Sequence, residues 1–225
     1  MLSPMNILEL NKTAWNAIGG QVASPYINQP KYRQMFEALC EKLNRGARVL
    51  DVGCGPGIPI AKLLVDIGFD VTGLDFAEEM IALARKNAPG ASFVCASVTD
   101  MSYEDSFDGV VASYSLLCLD PVRFCQAAKK IATALKPGGY CFLSLNESLS
   151  PAEPESESII EVSGQRMYSR AYSERDIREG FWELDIISLE REVVHSAMFG
   201  TERSIIVLLK KQLASLGGFA APERR

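Results

Sequence analysis

The feature that most constrains this chain is the stretch Val-Leu-Asp-Val-Gly-Cys-Gly-Pro-Gly at 49–57. A short apolar run ends in three glycines at alternate positions, Gly53, Gly55 and Gly57, and Ile60, Ala61, Leu63, Leu64 and Ile67 follow at helical spacing. That order reads as strand, tight turn, helix. Glycines in such a turn let backbone approach a ligand closely. A dinucleotide fingerprint of the form GxGxxG needs its third glycine where Ile58 stands, so a nicotinamide-dependent oxidoreductase is disfavoured. Asp51 and Asp75 add negative charge where a pyrophosphate would lie or nearby, so the ligand is better pictured as a nucleoside carrying a cation.

The strand–helix alternation continues. Strands are predicted over 48–52, 70–74, 92–95, 107–112 and 140–145, and a helix over 121–135. Apolar residues at helical spacing before residue 45 form a helical preface. Ser-Glu-Arg-Asp from Ser173 resembles a helix-start box. Two strand-like stretches, 184–196 and 203–211, flank a short turn-prone segment and should pair antiparallel at the sheet edge. The fold class expected is α/β: a Rossmann-like, seven-stranded, mostly parallel sheet with helices on both faces and an antiparallel last strand. The Pro-, Ser- and Glu-rich stretch 148–158 reads as a mobile cover or loop.

Composition limits the partners. A net charge of -5 and a pI near 5.1 give no general attraction to nucleic acid. The six cysteines show neither CxxC pairs nor zinc spacing, so no metal is expected. The amino terminus lacks a signal-peptide pattern and no apolar run reaches membrane-spanning length, so a cytoplasmic protein without membrane contact is expected.

With these motifs in hand, the chain resembles the class I S-adenosylmethionine-dependent methyltransferases, in particular their compact small-molecule branch. The resemblance runs from about Arg48 to Leu145 and more loosely to Lys211; it includes the glycine turn, VTGLDFAEEM, FDGVV and the Leu-Lys-Pro-Gly-Gly turn at 135–139. It implies S-adenosyl-L-methionine as cofactor and S-adenosyl-L-homocysteine as product. It implies that Gly53, Gly55 and Gly57 cradle the methionine part with Asp51 near its amino group, and that Asp75 binds both ribose hydroxyls. Phe76 and Met80 would flank the adenine, Ser97 and Val98 would meet its amino group and ring, and Ser113 would pass beside the cofactor. Family members usually carry an acid where Ser97 stands. The implied organisation is a helical cap at 1–45, a cofactor-binding core at 46–146, a lid or loop insertion at 147–172, a helix and terminal strand pair at 173–211, and a tail at 212–225.

The acceptor side is less determined. Tyr26, Tyr114, Asn146, Glu147, Tyr168 and Tyr172 are the candidates for binding a small-molecule acceptor, and Glu147 and His195 those for a general base. Each has a plainer reading: Glu147 as a solvated loop carboxylate, the lone His195 as a locally bonded hairpin residue, Asp108 as a residue fixing strand geometry. Trp15 and Tyr32 could cover the cofactor or simply pack. The sequence leaves the acceptor atom and the oligomeric state open. It also leaves a second possibility, a non-enzymatic adenosyl-ligand-binding or catalytically silent subunit.

Overall fold

Alternating strands and helices need a sheet covered on both faces, and the computed structural model, which describes residues 4–21, 28–149, 157–196 and 200–213, has that layout. Strands β1 (Arg48–Val52), β2 (Asp70–Asp75), β3 (Ser92–Cys95), β4 (Phe107–Ser113) and β5 (Leu135–Glu147) run parallel. A second β-pair, β8 (Leu184–Ser196) and β9 (Gly200–Lys211), completes a seven-stranded sheet in the order β3-β2-β1-β4-β5-β9-β8, with β9 antiparallel to both its neighbours. The expected fold class is present, including the antiparallel last strand. Helices α1 (Pro4–Ile18), α2 (Pro30–Lys42), α3 (Ile60–Ile67), α4 (Glu78–Asn87), α5 (Pro121–Ala134) and α6 (Glu174–Gly180) surround it.

The twofold alternation of strand side chains divides the core in two. Leu50, Val52, Val110 and Leu143 pack with Phe124, Ala128 and Ile131 of α5 on one face. Val49, Val111 and Phe142 pack with Leu39 of α2 and Ala61 and Leu64 of α3 on the other. Local chemistry fixes the helix ends. Asp120 accepts from the backbone of Val122 and Arg123 ahead of Pro121, and Ser173 with Asp176 forms the capping box that its sequence announced. The Leu-Lys-Pro-Gly-Gly segment departs from a simple turn. Leu135 already pairs with Phe107, and the strand continues through an irregularity to Tyr140, so these residues open β5 itself.

The stretch 147–172, expected as a lid or loop insertion, holds an antiparallel ribbon of β6 (Glu157–Val162) and β7 (Gln165–Arg170), separate from the main sheet. Ser163 and Gly164 join the strands with φ of 49° and 76°, the two left-handed positions of a tight hairpin turn. Buried Val162 and Met167 pack against Ala14 and Ile18 of α1. Among the described residues, no helix is long and apolar enough to cross a membrane.

Candidate active site

The first βα turn requires glycine for contact reasons at two positions. A Cβ on Gly53 would lie 2.2 Å from Ser115 Cβ, and one on Gly57 would lie 2.9 Å from Ala84 Cα in α4. Both also have φ near +70° (67° and 75°). The turn is thereby pressed between the loop after β4 and helix α4, and a cleft opens above the carboxyl ends of β1, β2, β4 and β5. This is where open α/β sheets bind ligands.

Two carboxylates sit at the base of that cleft. Asp51 is 2% exposed, and its Oδ2 is buried without a hydrogen-bond partner among the described residues. Burial first, and then the charge of Asp75, pushes its carboxyl up to about 8. Asp75 is held differently. Its Oδ2 accepts from Gly55 N at 3.0 Å and its Oδ1 from Ala77 N at 2.9 Å, so it ties the glycine turn to the start of α4. Its carboxyl is raised by burial, against the pull of those backbone donors.

The cleft is lined by Asp51, Gly53, Gly55, Asp75, Phe76 and Met80, and by Ser113, Tyr114 and Asn146 at the ends of β4 and β5. An adjoining pocket shares Gly53, Asp75 and Phe76 and ends on Ser97 and Val98. The residues predicted for the cofactor are thus brought together, apart from Gly57, which supports the turn from behind. Ser97 has a local job as well: its Oγ accepts from Thr99 N at 3.3 Å and meets Thr99 Oγ1 at 2.8 Å, capping a short 3-10 turn, Val98–Asp100. Ser113 Oγ lies 2.7 Å from the hydroxyl of fully buried Tyr32, which packs rather than covers.

Several acceptor-side candidates stand elsewhere. Glu147 is outside the cleft lining, with Arg191 forked onto it at 2.8–3.2 Å and Arg203 at 3.8 Å. Tyr172 is fully buried against Phe124 and donates to Leu119 O at 2.6 Å, a core role. Tyr168 lies on the opposite face of β7 from the cleft; its hydroxyl donates to Glu157 at 2.9 Å, while its neighbours Met167 and Ser169 line the cleft. His195 is exposed on the edge strand, with Nδ1 2.8 Å from Thr201 Oγ1, and does not line the cleft. Asp108 accepts from Arg48 N and Lys136 Nζ, both at 2.8 Å, which fixes strand geometry as its plainer reading holds. Tyr26 lies outside the described residues.

Sequence reasoning missed Ser115, Cys118, Ile160, Val162, Met167 and Glu202, all of which line the cleft; Trp15, for which covering the cofactor and packing were both open, lines it too. The Ser-Gly dipeptide at 163–164 was the available signal for the ribbon. No comparable signal marks Glu202, whose place depends on β9 entering between β5 and β8. The cleft lining holds three carboxylates, Asp51, Asp75 and Glu202, and among the described residues no Lys, Arg or His. No group of three or more His, Cys, Asp or Glu among the described residues could hold a metal ion.

Comparison with known proteins agrees with this geometry. Residues 49–139 match the methyltransferase domain family. A ubiquinone biosynthesis O-methyltransferase of Xanthomonas campestris is 39% identical over 106 residues, 44% of this chain and 43% of that protein. Its counterpart in Xanthomonas euvesicatoria is 38% identical over 138 residues, or 54% of its length, so the chain spans about half the length of the curated relatives it matches. The 1,6-didemethyltoxoflavin-N1-methyltransferase of Burkholderia thailandensis, solved with 1,6-didemethyltoxoflavin and S-adenosylhomocysteine, superposes with a TM-score of 0.72 at 21% identity, covering 94% of this chain and 92% of that one. The turn, the two carboxylates and the strand order agree with the family match, which identifies residues 49–139 as a methyltransferase domain.

Proposed function

We propose that the protein transfers a methyl group from S-adenosyl-L-methionine to a small-molecule acceptor by in-line displacement. The observation that carries this reading is the acid-only lining around Asp51, whose buried Oδ2 has no partner among the described residues. An isolated carboxylate is costly to bury, and a cationic ligand offsets that cost. The residues present fit the cofactor. Asp51 would hold the ammonium of the methionine part, Asp75 the ribose diol, and Phe76, Met80, Ser97 and Val98 the adenine, with the glycine turn against the methionine chain.

When bound, the cofactor supplies a methyl carbon made electrophilic by sulfonium and a neutral thioether leaving group. The protein's remaining tasks are to orient an acceptor and exclude water, and orientation alone supplies much of the acceleration. Tyr114 and Asn146 at the sheet edge and Ile160 and Met167 on the ribbon face the space left for the acceptor. We assign 46–146 as the cofactor-binding core and the ribbon within 147–172, together with α1, as its cover. The bound 1,6-didemethyltoxoflavin of the Burkholderia neighbour supports a small acceptor over a nucleic acid. Six unpaired cysteines support a reducing, cytoplasmic setting.

Calorimetry with the cofactor and with S-adenosylhomocysteine tests the binding step and should give about one site per chain, with no competition from reduced nicotinamide cofactors. Saturable nicotinamide binding with none for the adenosyl ligands would overturn the reading. A [4+2]-cyclase shares the fold at a TM-score of 0.64, so a binding result alone leaves the silent-subunit alternative standing. Cofactor turnover across a panel of small acceptors separates the two.

A further inference from the structure

Three side chains of the cleft lining carry a buried polar atom without a hydrogen-bond partner among the described residues: Asp51 Oδ2, Ser115 Oγ and Asn146 Oδ1. The first two belong to the glycine turn, Asp51 leading into it and Ser115 pressed against Gly53. Asn146 does not. In the parallel register Asp51 stands level with Val111, and Val111 with Phe142, so Asn146 lies two strands across the sheet and four residues further along it. Those strand spacings and residue rises separate the two side chains by on the order of 15 Å. The cofactor's own donors are its ammonium, its ribose hydroxyls and its adenine amino group. All three are assigned to the ends of β1, β2 and β3, on the far side of β4 from Asn146. A donor for Asn146 Oδ1 has to come from a different molecule.

The amide is held in one orientation. Asn146 Nδ2 donates to Glu202 Oε1 at 2.6 Å, and this contact with a carboxylate fixes which end of the amide is nitrogen and which is oxygen. The backbone is held as well: Asn146 pairs with Ser204 of β9, and its carbonyl accepts from Tyr172 N at 2.8 Å. The nearby Tyr114 hydroxyl donates to Ser204 Oγ at 2.7 Å rather than to the amide oxygen. Ile160, Val162 and Met167 of the ribbon make the facing side of the cleft apolar, and among the described lining residues there is no Lys, Arg or His. A carboxylate or phosphate on the acceptor would therefore be desolvated here without a cation from the lining. An apolar body with one N–H or O–H suits both the walls and the amide oxygen.

We propose that the methyl acceptor is a small, largely apolar, non-anionic molecule that presents an N–H or O–H donor to Asn146 Oδ1, which makes Asn146 a specificity-determining residue. This rests on the methyltransferase reading above. A site built to take a donor rejects the analogue that lacks one, because the buried oxygen is then left unpaired. The same bond orients the acceptor from the β5 end of the cleft, across β4 from the turn that holds the methionine part of the cofactor.

The test is calorimetry on the full chain saturated with S-adenosylhomocysteine, using four probes on one naphthalene body: 2-naphthol, 2-naphthylamine, 2-methoxynaphthalene and 2-naphthoate. At least one of the first two should bind about tenfold or more tighter than the methyl ether and the naphthoate, and the tighter of that pair names the donor as O–H or N–H. Asn146→Leu keeps the size of the side chain and removes Oδ1. It should bring the donor probes to within about threefold of the methyl ether while S-adenosylhomocysteine affinity holds, which reports an intact fold. Asn146→Ala carries the same expectation where leucine lowers that affinity. No binding by either donor probe, methyl ether or naphthoate binding as tight as the better donor probe, or a donor preference that survives in a folded Asn146 variant overturns the donor assignment alone. Absence of S-adenosylhomocysteine binding in the wild type overturns the methyltransferase reading and this assignment with it.

Discussion

Asp51 carries a charge problem that can be read as a pH dependence. Its folded carboxyl titrates at about 8, above the unfolded aspartate value of roughly 3.9, so between those limits the folded, ligand-free protein holds a proton that the unfolded chain releases. The stability from this group is complete below about pH 4 and is lost as pH rises through about 8. Asp51→Asn should therefore stabilise the ligand-free protein above pH 8 by ~1–3 kcal/mol and flatten the dependence of Tm on pH. Pairing with an ammonium needs the carboxylate, so cofactor binding at pH 6.5 should expel close to one proton, read as a heat that changes with the buffer's ionisation enthalpy. No such buffer dependence would take Asp51 out of the ammonium site. Asp75 combines two roles. Asp75→Ala removes the acceptor for Gly55 N and Ala77 N, lowering ligand-free stability by about 1 kcal/mol or more, and it should also weaken cofactor binding by about thirty-fold to several hundred-fold. Asp75→Asn should fall between. A stability loss with unchanged affinity would leave it a turn tether only. Both carboxylates were legible because a strand, a glycine turn and a second strand end dictate where they stand. The acceptor side was not, and for one physical reason. Strand side chains alternate, so a shift of one residue changes the face. Tyr168 was chosen where Met167 and Ser169 line the cleft, and Glu147 was chosen beside Asn146, its neighbour on the correct face.

A single buried side chain of α1 joins the ribbon and the loop after β4, which is what the proposed cover rests on. Asn11 is fully buried; its Nδ2 donates to Cys118 O at 3.0 Å and Tyr168 O at 3.1 Å, and its Oδ1 accepts from Tyr168 N at 2.7 Å. Three backbone groups on two separate segments are thus satisfied by one amide. Asn11→Ala leaves them unpaired in a buried place, and should cost about 2–4 kcal/mol of local stability. Hydrogen exchange is the measurement: amides of 157–170 should exchange faster while those of β1, β4 and β5 keep their protection. Equal loss across the sheet would show that the cover is not a separate unit. The sequence marks the main strands well because each is a short apolar run bounded by turn residues, and β1, β3 and β8 have the predicted limits. The ribbon escaped because its strands, Glu-Ser-Ile-Ile-Glu-Val and Gln-Arg-Met-Tyr-Ser-Arg, carry little apolar alternation and follow a Pro- and Glu-rich stretch. Its stability comes from packing on α1, a tertiary contact that local pattern does not encode.

At the scale of the whole molecule, the cleft is bounded below by the carboxyl edge of the sheet and on its open side by Trp15 of α1 and by Ile160, Val162 and Met167 of the ribbon. A ligand filling it touches both the most deeply packed part of the protein and a cover held through Asn11 and a small satellite core. Ligand that binds only the folded state stabilises it by mass action, about 2.7 kcal/mol at one hundred times Kd. For a chain of this size each kcal/mol moves Tm by roughly 2–4 °C, so saturating S-adenosylhomocysteine should raise Tm by about 5–10 °C. The distribution of that gain is the more specific expectation. Without ligand the cover can open locally at a free energy below that of global unfolding, so its amides report local opening. With ligand, local opening must also break contacts to the bound molecule, and the cover's protection should rise toward that of the sheet. Amides of α1 and of 157–170 should therefore slow more than those of β8, whose exposed edge lies across β9 and β5 from the glycine turn. Proteolysis within the cover should slow in parallel. A Tm rise with uniform protection along the chain would place the ligand on the sheet edge without engaging the cover, and unchanged exchange in both segments would remove α1 and the ribbon from the binding site.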